Sequence, residues 1–319
     1  MACVDISPLS YESVKSVVKY LSLKKREQIN LSIPAYHKTA KLAPFKLENV
    51  GLSDLYIEVN DRTWTLSETD IIGCTLVLYR SNGYNFQHII SITPEVAFQK
   101  LISEYLRNGT RIKKFHLYAL PSLLKNVELH VSELKIDGCD YETFAKFRKF
   151  IDHNQKILKE IGFVVRQNTL WMFDEQLVKN SKEIYLQFPY YNPVPLDDML
   201  LRLKNNHVHI IYLGFPIEKL QELAMNWIDT KKPIGTSLFL VVEHYTYVID
   251  VFEHLTKYSK AIPSRLTDLG TSFFSHCVTM HIDESSELVL FGGPMVIEWK
   301  PFKWTLRMTI MKRGSTISK

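Results

Sequence analysis

Hydrophobic and polar positions change their period several times along the chain, and each period predicts a different element. From Tyr11 to Leu21 apolar residues recur every three or four positions, which predicts a short amphipathic helix. A second helix is expected from Leu23 to Leu31, because the residue before Pro34 is disfavoured in a helix. Between Phe45 and Ile92 short apolar runs separated by turn residues predict a small antiparallel sheet. Thr93-Pro94 then begins a helix, with proline at its first position.

Strand and helix patterns alternate through the middle of the chain. The later units recur at roughly 25–30 residues, a spacing typical of leucine-rich-repeat solenoids, although a compact α/β sheet domain is an alternative. Near the end, Glu287–Phe291, a Gly292-Gly293 turn and further strands at Met295–Ile297 and Trp304–Ile310 predict β-hairpins. We therefore predict an α+β or α/β fold. It consists of a short N-terminal helical hairpin, a small antiparallel sheet and degenerate leucine-rich-repeat-like strand–helix units closed by β-hairpins.

Composition and charge narrow the possible partners. The 319 residues are 46% hydrophobic and 23% charged, an ordinary globular composition. The 39 Lys and Arg against 34 Asp and Glu give a net charge of +5, spread in short groups, which disfavours nucleic acid as a partner. The first ten residues show no targeting signal, and the longest apolar runs reach about half of the roughly 20 residues that span a bilayer. We expect an intracellular protein, cytoplasmic or nuclear, with no membrane partner.

Candidate chemistry is sparse. The chain has no glycine-rich phosphate loop, no nucleophile elbow and no zinc-protease motif, so we predict no enzyme, no catalytic residue, no metal and no cofactor. We expect ordinary structural roles for two histidine pairs and one acidic pair: His207 and His209, His276 and His281 near Asp283 and Glu284, and Asp197-Asp198. The four cysteines, Cys3, Cys74, Cys139 and Cys277, lie far apart, which predicts free thiols.

One aromatic group could serve either as a contact surface or as core packing at the end of a strand. It comprises Tyr185, Phe188, Tyr190 and Tyr191.

Three segments carry a resemblance to a known family. The opening Pro8 to Leu21, followed by Lys25-Arg26, Ile29 and Ile33-Pro34, resembles an F-box motif of the divergent form found in nematode-expanded F-box families. It is most similar to the F-box C group, whose associated domain is a domain of unknown function. The segment Trp227–Thr236 and the closing strand Trp304-Thr305-Leu306 fit that associated domain.

The resemblance implies a function by proximity. F-box helices bind the Skp adaptor of a cullin-RING ubiquitin ligase, and the following domain presents a protein substrate, here unknown. It implies an F-box-like segment at 1–45 and an associated α/β domain at 46–319, with a possible sub-boundary near 93–125. The residues expected to contact the adaptor are Pro8, Leu9, Val14, Val17, Val18, Leu21, Ile29 and Ile33.

Two other hypotheses stay open at this point. In one, the N-terminal hairpin packs on the protein's own sheet, and the chain is a solenoid-like interaction module that assembles no ligase. In the other, scattered basic and aromatic residues bind RNA or DNA, for which a steep salt dependence would be required.

Overall fold

The computed structural model describes residues 11–18, 21–33, 36, 43–68, 73–120, 127–151, 157–189, 199–267, 276–295 and 303–318. The chain divides into two compact units, 1–158 and 159–319. The resemblance implies a domain boundary between residues 45 and 46. The division into two units does not test this boundary, which stays a prediction.

The first unit contains four helices and seven strands among its described residues. The helices are α1 (Tyr11–Val18), α2 (Leu23–Ser32), α3 (Pro94–Tyr105) and α4 (Tyr141–Arg148). The strands are β1 (Lys46–Ser53), β2 (Tyr56–Val59), β3 (Arg62–Glu68), β4 (Cys74–Arg80), β5 (Asn85–Ile90), β6 (Thr110–Leu117) and β7 (Leu129–Ile136). Their order is β7-β6-β1-β2-β3-β4-β5, in which β1 to β5 are antiparallel and β6 and β7 run parallel to β1. The antiparallel sheet predicted between Phe45 and Ile92 is confirmed.

Helix α3 shows how local sequence places an element on this sheet. The Thr93 side chain accepts a hydrogen bond from the Val96 backbone N–H, and Pro94 occupies the first turn, where a missing N–H has no cost. The buried face of α3 includes Phe98 and Ile102, and the helix packs on β2 and β3. The predicted start of this helix is confirmed.

The second unit combines a parallel and an antiparallel region. Its helices are a 3₁₀ helix (Gln167–Asp174), α5 (Gln176–Asn180), α6 (Ile217–Asp229) and α7 (Tyr245–Tyr258). Its strands are β8 (Glu160–Val164), β9 (Glu183–Gln187), β10 (His207–Ile211), β11 (Ser237–Val242), β12 (Ile262–Leu266), β13 (His276–His281), β14 (Ser286–Met295), β15 (Lys303–Lys312) and β16 (Thr316–Ser318). The order is β8-β9-β10-β11-β15-β14-β13-β12-β16. Strands β8 to β11 are parallel, and every later pairing is antiparallel.

The predicted fold class is wrong. A leucine-rich-repeat solenoid stacks each strand on the next one in the chain, always in parallel. Here β1 pairs with β6 across five intervening elements, and β15 enters between β11 and β14 in the antiparallel direction. The described residues therefore form mixed sheets. The strand–helix spacing is common to both architectures, so it could not separate them.

The N-terminal part of that fold prediction is also wrong. Residues 11–18 and 23–32 are helical, but α2 does not form one half of a separate F-box-like hairpin. Hydrogen bonds from Arg26 connect α2 to Ala43 and Pro44, which lead into β1 of the first unit's sheet.

Gly292 and Gly293 form no turn. Both lie inside β14, whose ladder with β15 continues through them to Met295. Glycine is needed at 292 because a Cβ there would come within 2.6 Å of Val248 Cγ1 on α7. The Gly292 side of β14 therefore faces α7.

Candidate interaction surfaces

Helix α2 begins and is held by a small number of polar contacts. The Ser22 Oγ accepts a hydrogen bond from the Lys25 backbone N–H at 3.4 Å, which caps the helix start. Leu23 is buried directly after the cap. On the next part of the helix Glu27 forms a two-pronged ion pair with Arg62 of β3, so α2 is fastened to the sheet of its own unit.

Arg26 is the main anchor of α2. Its side chain is almost completely buried, and its two terminal nitrogens donate to the carbonyl oxygens of Ala43 at 3.1 Å and Pro44 at 2.7 Å. The guanidinium carbon lies 4.8 Å from the centre of the Phe45 ring. Burial lowers the pKa of Arg26 from its ordinary value. Arg26 is therefore a core residue, although it directly follows Lys24 and Lys25 in the sequence.

The residues expected to bind the adaptor do not share one environment. Val18 is fully buried, and Leu21 and Ile29 are half-buried. Val17 and Ile33 are exposed, each by 52% of its surface. The remaining three lie wholly or in their side chains outside the described residues: Pro8, Leu9 and Val14.

Leu31 was missed by the sequence reasoning. It lies near the end of α2 with 87% of its surface exposed, the highest exposure among the large apolar residues that the structure describes. Its neighbours in the helix are mostly polar, so no apolar stripe marked it as unusual. Together with Val17 and Ile33 it gives the N-terminal segment three exposed aliphatic side chains.

A row of four side chains crosses the sheet of the second unit. Tyr185 on β9, His209 on β10, Phe239 on β11 and Arg307 on β15 are successive partners in the strand register, so they lie on one face of the sheet. The adjacent row of partners ends at Gly292, which faces α7. It comprises Leu186, Ile210, Leu240 and Leu306. The first row, called here the His209 row, therefore lies on the opposite face.

The rings of the His209 row are in contact. The rings of Tyr185 and His209 are stacked with centroids 4.0 Å apart and an interplanar angle of 3°. Phe239 lies 5.6 Å from His209 in a tilted arrangement. All four members are half-buried, so each is held in place and still presents part of its surface to solvent.

His209 is neutral at pH 7. Burial, followed by the nearby His207 and Arg307, lowers its pKa to about 4. Its Nε2 lies 4.0 Å from the Glu183 carboxylate, but this contact is not an ion pair because the imidazole ring is uncharged. Burial also lowers the pKa of Arg307, although the group stays cationic. The row thus offers three rings and one positive charge.

The two histidine pairs differ in their surroundings. His207 and His209 share a face, and His207 Nδ1 lies 2.9 Å from the Ser237 Oγ. His276 and His281 are exposed at the two ends of β13. Nowhere in the described ranges do three or more His, Cys, Asp or Glu residues gather in a way that could hold a metal ion.

Asp283, the carboxylate closest in sequence to the second histidine pair, organises a turn. Its Oδ1 accepts hydrogen bonds from the Ser285 backbone N–H and hydroxyl, both at 2.8 Å, and from the Ser286 hydroxyl at 2.9 Å. These bonds lower its pKa to about 2. Asp197 and Asp198 lie outside the described residues.

The predicted aromatic group divides into two roles. Phe188 is buried and stacks on Tyr212 with centroids 5.0 Å apart, which is core packing. Tyr185 belongs to the half-exposed His209 row. Tyr190 and Tyr191 lie outside the described residues.

The described thiols are free and buried, as predicted, at Cys74, Cys139 and Cys277. Burial raises the pKa of Cys139 to about 12 and that of Cys277 to about 11, so neither is a nucleophile at neutral pH. Cys3 lies outside the described residues. Of the helices in the part of the chain that the structure describes, none has both the length and the apolar character needed to cross a bilayer.

Comparison with known families gives one match. Residues 93–244 fit the model of a domain of unknown function, DUF3557. The matched region runs from the N-cap of α3 to just beyond β11 and covers slightly less than half of the chain. The expected domain of unknown function is thereby found. No curated protein matches the chain.

Proposed function

We propose that the chain is a non-enzymatic substrate-recognition adaptor of an SCF-type cullin-RING ubiquitin ligase. Its N-terminal segment, 1–45, binds the Skp adaptor, and the region from 46 onward binds a protein target. The proposal rests on the F-box-like sequence of the first segment and on the domain of unknown function at 93–244. An intracellular protein, in the cytoplasm or the nucleus, follows from this role.

The observation that supports it most directly is the exposure of aliphatic side chains on an anchored segment. Val17 and Ile33 are two of the expected adaptor contacts, and Leu31 adds a third apolar group. Arg26 and Glu27 hold α2 in one position, so Leu31 on this helix and Ile33 directly after it are presented from a fixed backbone. Exposed apolar side chains on a fixed backbone favour association, since little conformational freedom is lost on binding.

The His209 row suits the target-binding role. Aromatic and arginine side chains concentrate binding energy at protein interfaces, and three rings with Arg307 lie together on one face. Two rings of the row, those of Tyr185 and His209, are already stacked in the unbound chain, which lowers the ordering cost of binding.

A binding assay with purified Skp adaptor tests the proposal. The full chain is compared with a Val17→Asp and Ile33→Asp double variant, in which two charges are placed at the expected interface. The proposal predicts binding by the natural chain and its loss in the variant, because a carboxylate buried in an apolar interface has no partner. Both positions are half exposed, so the variant should keep its circular dichroism spectrum.

The matched control is a double variant with the same change elsewhere. Ile157 and Ile234 are exposed by 51% and 48%, close to the values for Val17 and Ile33. An Ile157→Asp and Ile234→Asp chain should bind the adaptor like the natural protein. Absence of binding by the natural chain, or equal loss in the two double variants, would refute the assignment of the adaptor interface.

The second candidate is an interaction module that assembles no ligase. The anchoring of α2 by Arg26 favours it, since a helix integrated in its own unit needs no adaptor for stability. The same assay separates the two candidates: a folded natural chain that does not bind the Skp adaptor is the result that this second function predicts.

A further inference from the structure

Strand β5 stands at the end of the strand order in the first unit. Among the described residues its one strand neighbour is β4, with which it pairs from Cys74 opposite Ile90 to Tyr79 opposite Asn85. The other edge of β5 therefore presents backbone groups that no described strand uses.

The turn between β4 and β5 determines which residues point outward. The Arg80 N–H donates to the Tyr84 carbonyl at 3.0 Å, so this pair is hydrogen-bonded within the hairpin. Hydrogen-bonded and non-hydrogen-bonded pairs alternate along an antiparallel ladder. Every second residue from Tyr84 thus bonds to β4. The three residues between them direct their N–H and C=O groups to the free edge: Asn85, Gln87 and Ile89.

An independent bond on the other side of β4 supports this assignment. The Ser81 N–H donates to the Asp61 carbonyl at 3.1 Å, which makes the alternate residues of β4 bond to β3. Arg80 and the residues that alternate with it are therefore the ones that bond to β5. The hydrogen bonds on both sides of β4 thus leave Asn85, Gln87 and Ile89 pointing outward.

The free edge lacks the usual protection against pairing. Natural edge strands carry lysine, proline or a bulge, or are very short. Residues 81–93 contain no proline and no Lys, Arg, Asp or Glu. Phe86 is half exposed and Ile89 is exposed by 72%. The end strand of the second unit, β16, differs because it has only three residues.

We propose that β5 pairs antiparallel with β5 of a second copy of this chain, about a twofold axis that passes beside Gln87. In this register Gln87 lies opposite Gln87 of the second copy, and Asn85 lies opposite Ile89 of the second copy. The three outward residues of each copy then exchange all their backbone hydrogen bonds. An isologous contact of this kind is the commonest way for a chain to form a dimer.

The side chains favour self-pairing over an unrelated strand. Twofold symmetry places a residue on the axis opposite itself, so a charge there would repel its own copy. This strand has none. Phe86 comes opposite His88 of the second copy, and these ring types already form an edge-to-face contact within β5, with centroids 4.6 Å apart and an interplanar angle of 87°. The dimer interface repeats a contact that the strand makes alone.

Sedimentation velocity of the full chain tests the proposal. The range of roughly 1–500 µM brackets the affinity expected of so small an interface. The natural chain should shift from monomer to dimer as its concentration rises. Gln87→Lys and Gln87→Glu should each weaken dimerisation by roughly fivefold, because like charges then face each other on the axis. An equimolar mixture of the two variants should restore it.

Two further variants test whether the effect belongs to the β5 edge. Gln87→Pro removes an outward N–H that no described strand uses, so the chain should fold while its dimerisation weakens by roughly tenfold or more. Ser67→Lys places the same charge at an exposed position on β3, away from the edge, and should dimerise like the natural chain. A natural chain that stays monomeric over the whole range overturns the proposal. So does a Lys and Glu mixture that fails to associate, which would leave the edge to a strand of another protein.

Discussion

Replacing Arg26 by methionine tests whether α2 belongs to the core of its own unit. Methionine fills a similar volume but cannot donate hydrogen bonds, so the Ala43 and Pro44 carbonyls lose their partners. Two bonds from a charged donor contribute about 1.5–3 kcal/mol each, and part of this is offset because the buried guanidinium is no longer desolvated. We expect the anchoring of α2 to weaken by about 2–4 kcal/mol.

Amide hydrogen exchange measures this change where it occurs. A loss of about 2–4 kcal/mol in local stability accelerates exchange by roughly 30-fold to 1000-fold, since each 1.36 kcal/mol is about a factor of ten. The acceleration should appear in the amides of residues 23–32. Because exchange is measured in the folded chain, the exchange rates of amides in the second unit serve as an internal reference.

Arg107 offers a matched control. Its guanidinium also lies over the Phe45 ring, at 4.6 Å, and it pairs with Glu104. The two carbonyl bonds at 43 and 44 do not depend on it, so Arg107→Met should change exchange in α2 much less. Equal effects of the two substitutions, or an Arg26→Met chain whose α2 amides exchange at the natural rate, would refute the anchoring role.

Two other perturbations probe the second unit. Gly292→Ala should destabilise it by about 1–3 kcal/mol in urea unfolding, because the new methyl group meets Val248 at 2.6 Å. Adding Val248→Ala should recover part of that loss, and strictly additive effects would contradict the contact. The pKa of His209, about 4 in the folded chain, lies below the ordinary value near 6.5. The neutral His209 ring therefore contributes stability to the folded chain that is present above pH 6.5 and is lost as the pH falls toward 4. Between pH 7 and pH 5 the natural chain should lose about 1–2 kcal/mol more than His209→Gln, and parallel pH curves would refute this.

Local features of the fold were predictable from sequence. The N-cap and proline that begin α3 act within one helical turn, and the alternation between Phe45 and Ile92 reflects neighbouring strands joined by tight turns. Long-range pairing was not predictable. Nothing in residues 303–312 indicates that β15 lies beside β11, since an apolar strand fits many neighbours equally well.

The candidate surfaces were likewise only partly predictable from the sequence. Two-residue periodicity placed His207 and His209 on one face, and the structure agrees. The row that joins His209 to Tyr185 and Phe239 depends on the register of three separate strands, which the sequence does not specify. The anchoring role of Arg26 was not predictable for a similar reason, because its carbonyl partners lie 17 and 18 residues away.

Strands β6 and β11 each have one neighbour outside the region that the family model matches. Both strands lie inside the region 93–244 that matches a family model, but β1 and β15, which complete their edges, lie outside it. A fragment limited to 93–244 would leave both strands short of a neighbour and should aggregate. The range that the family model matches thus ends short of the strands that complete these two edges.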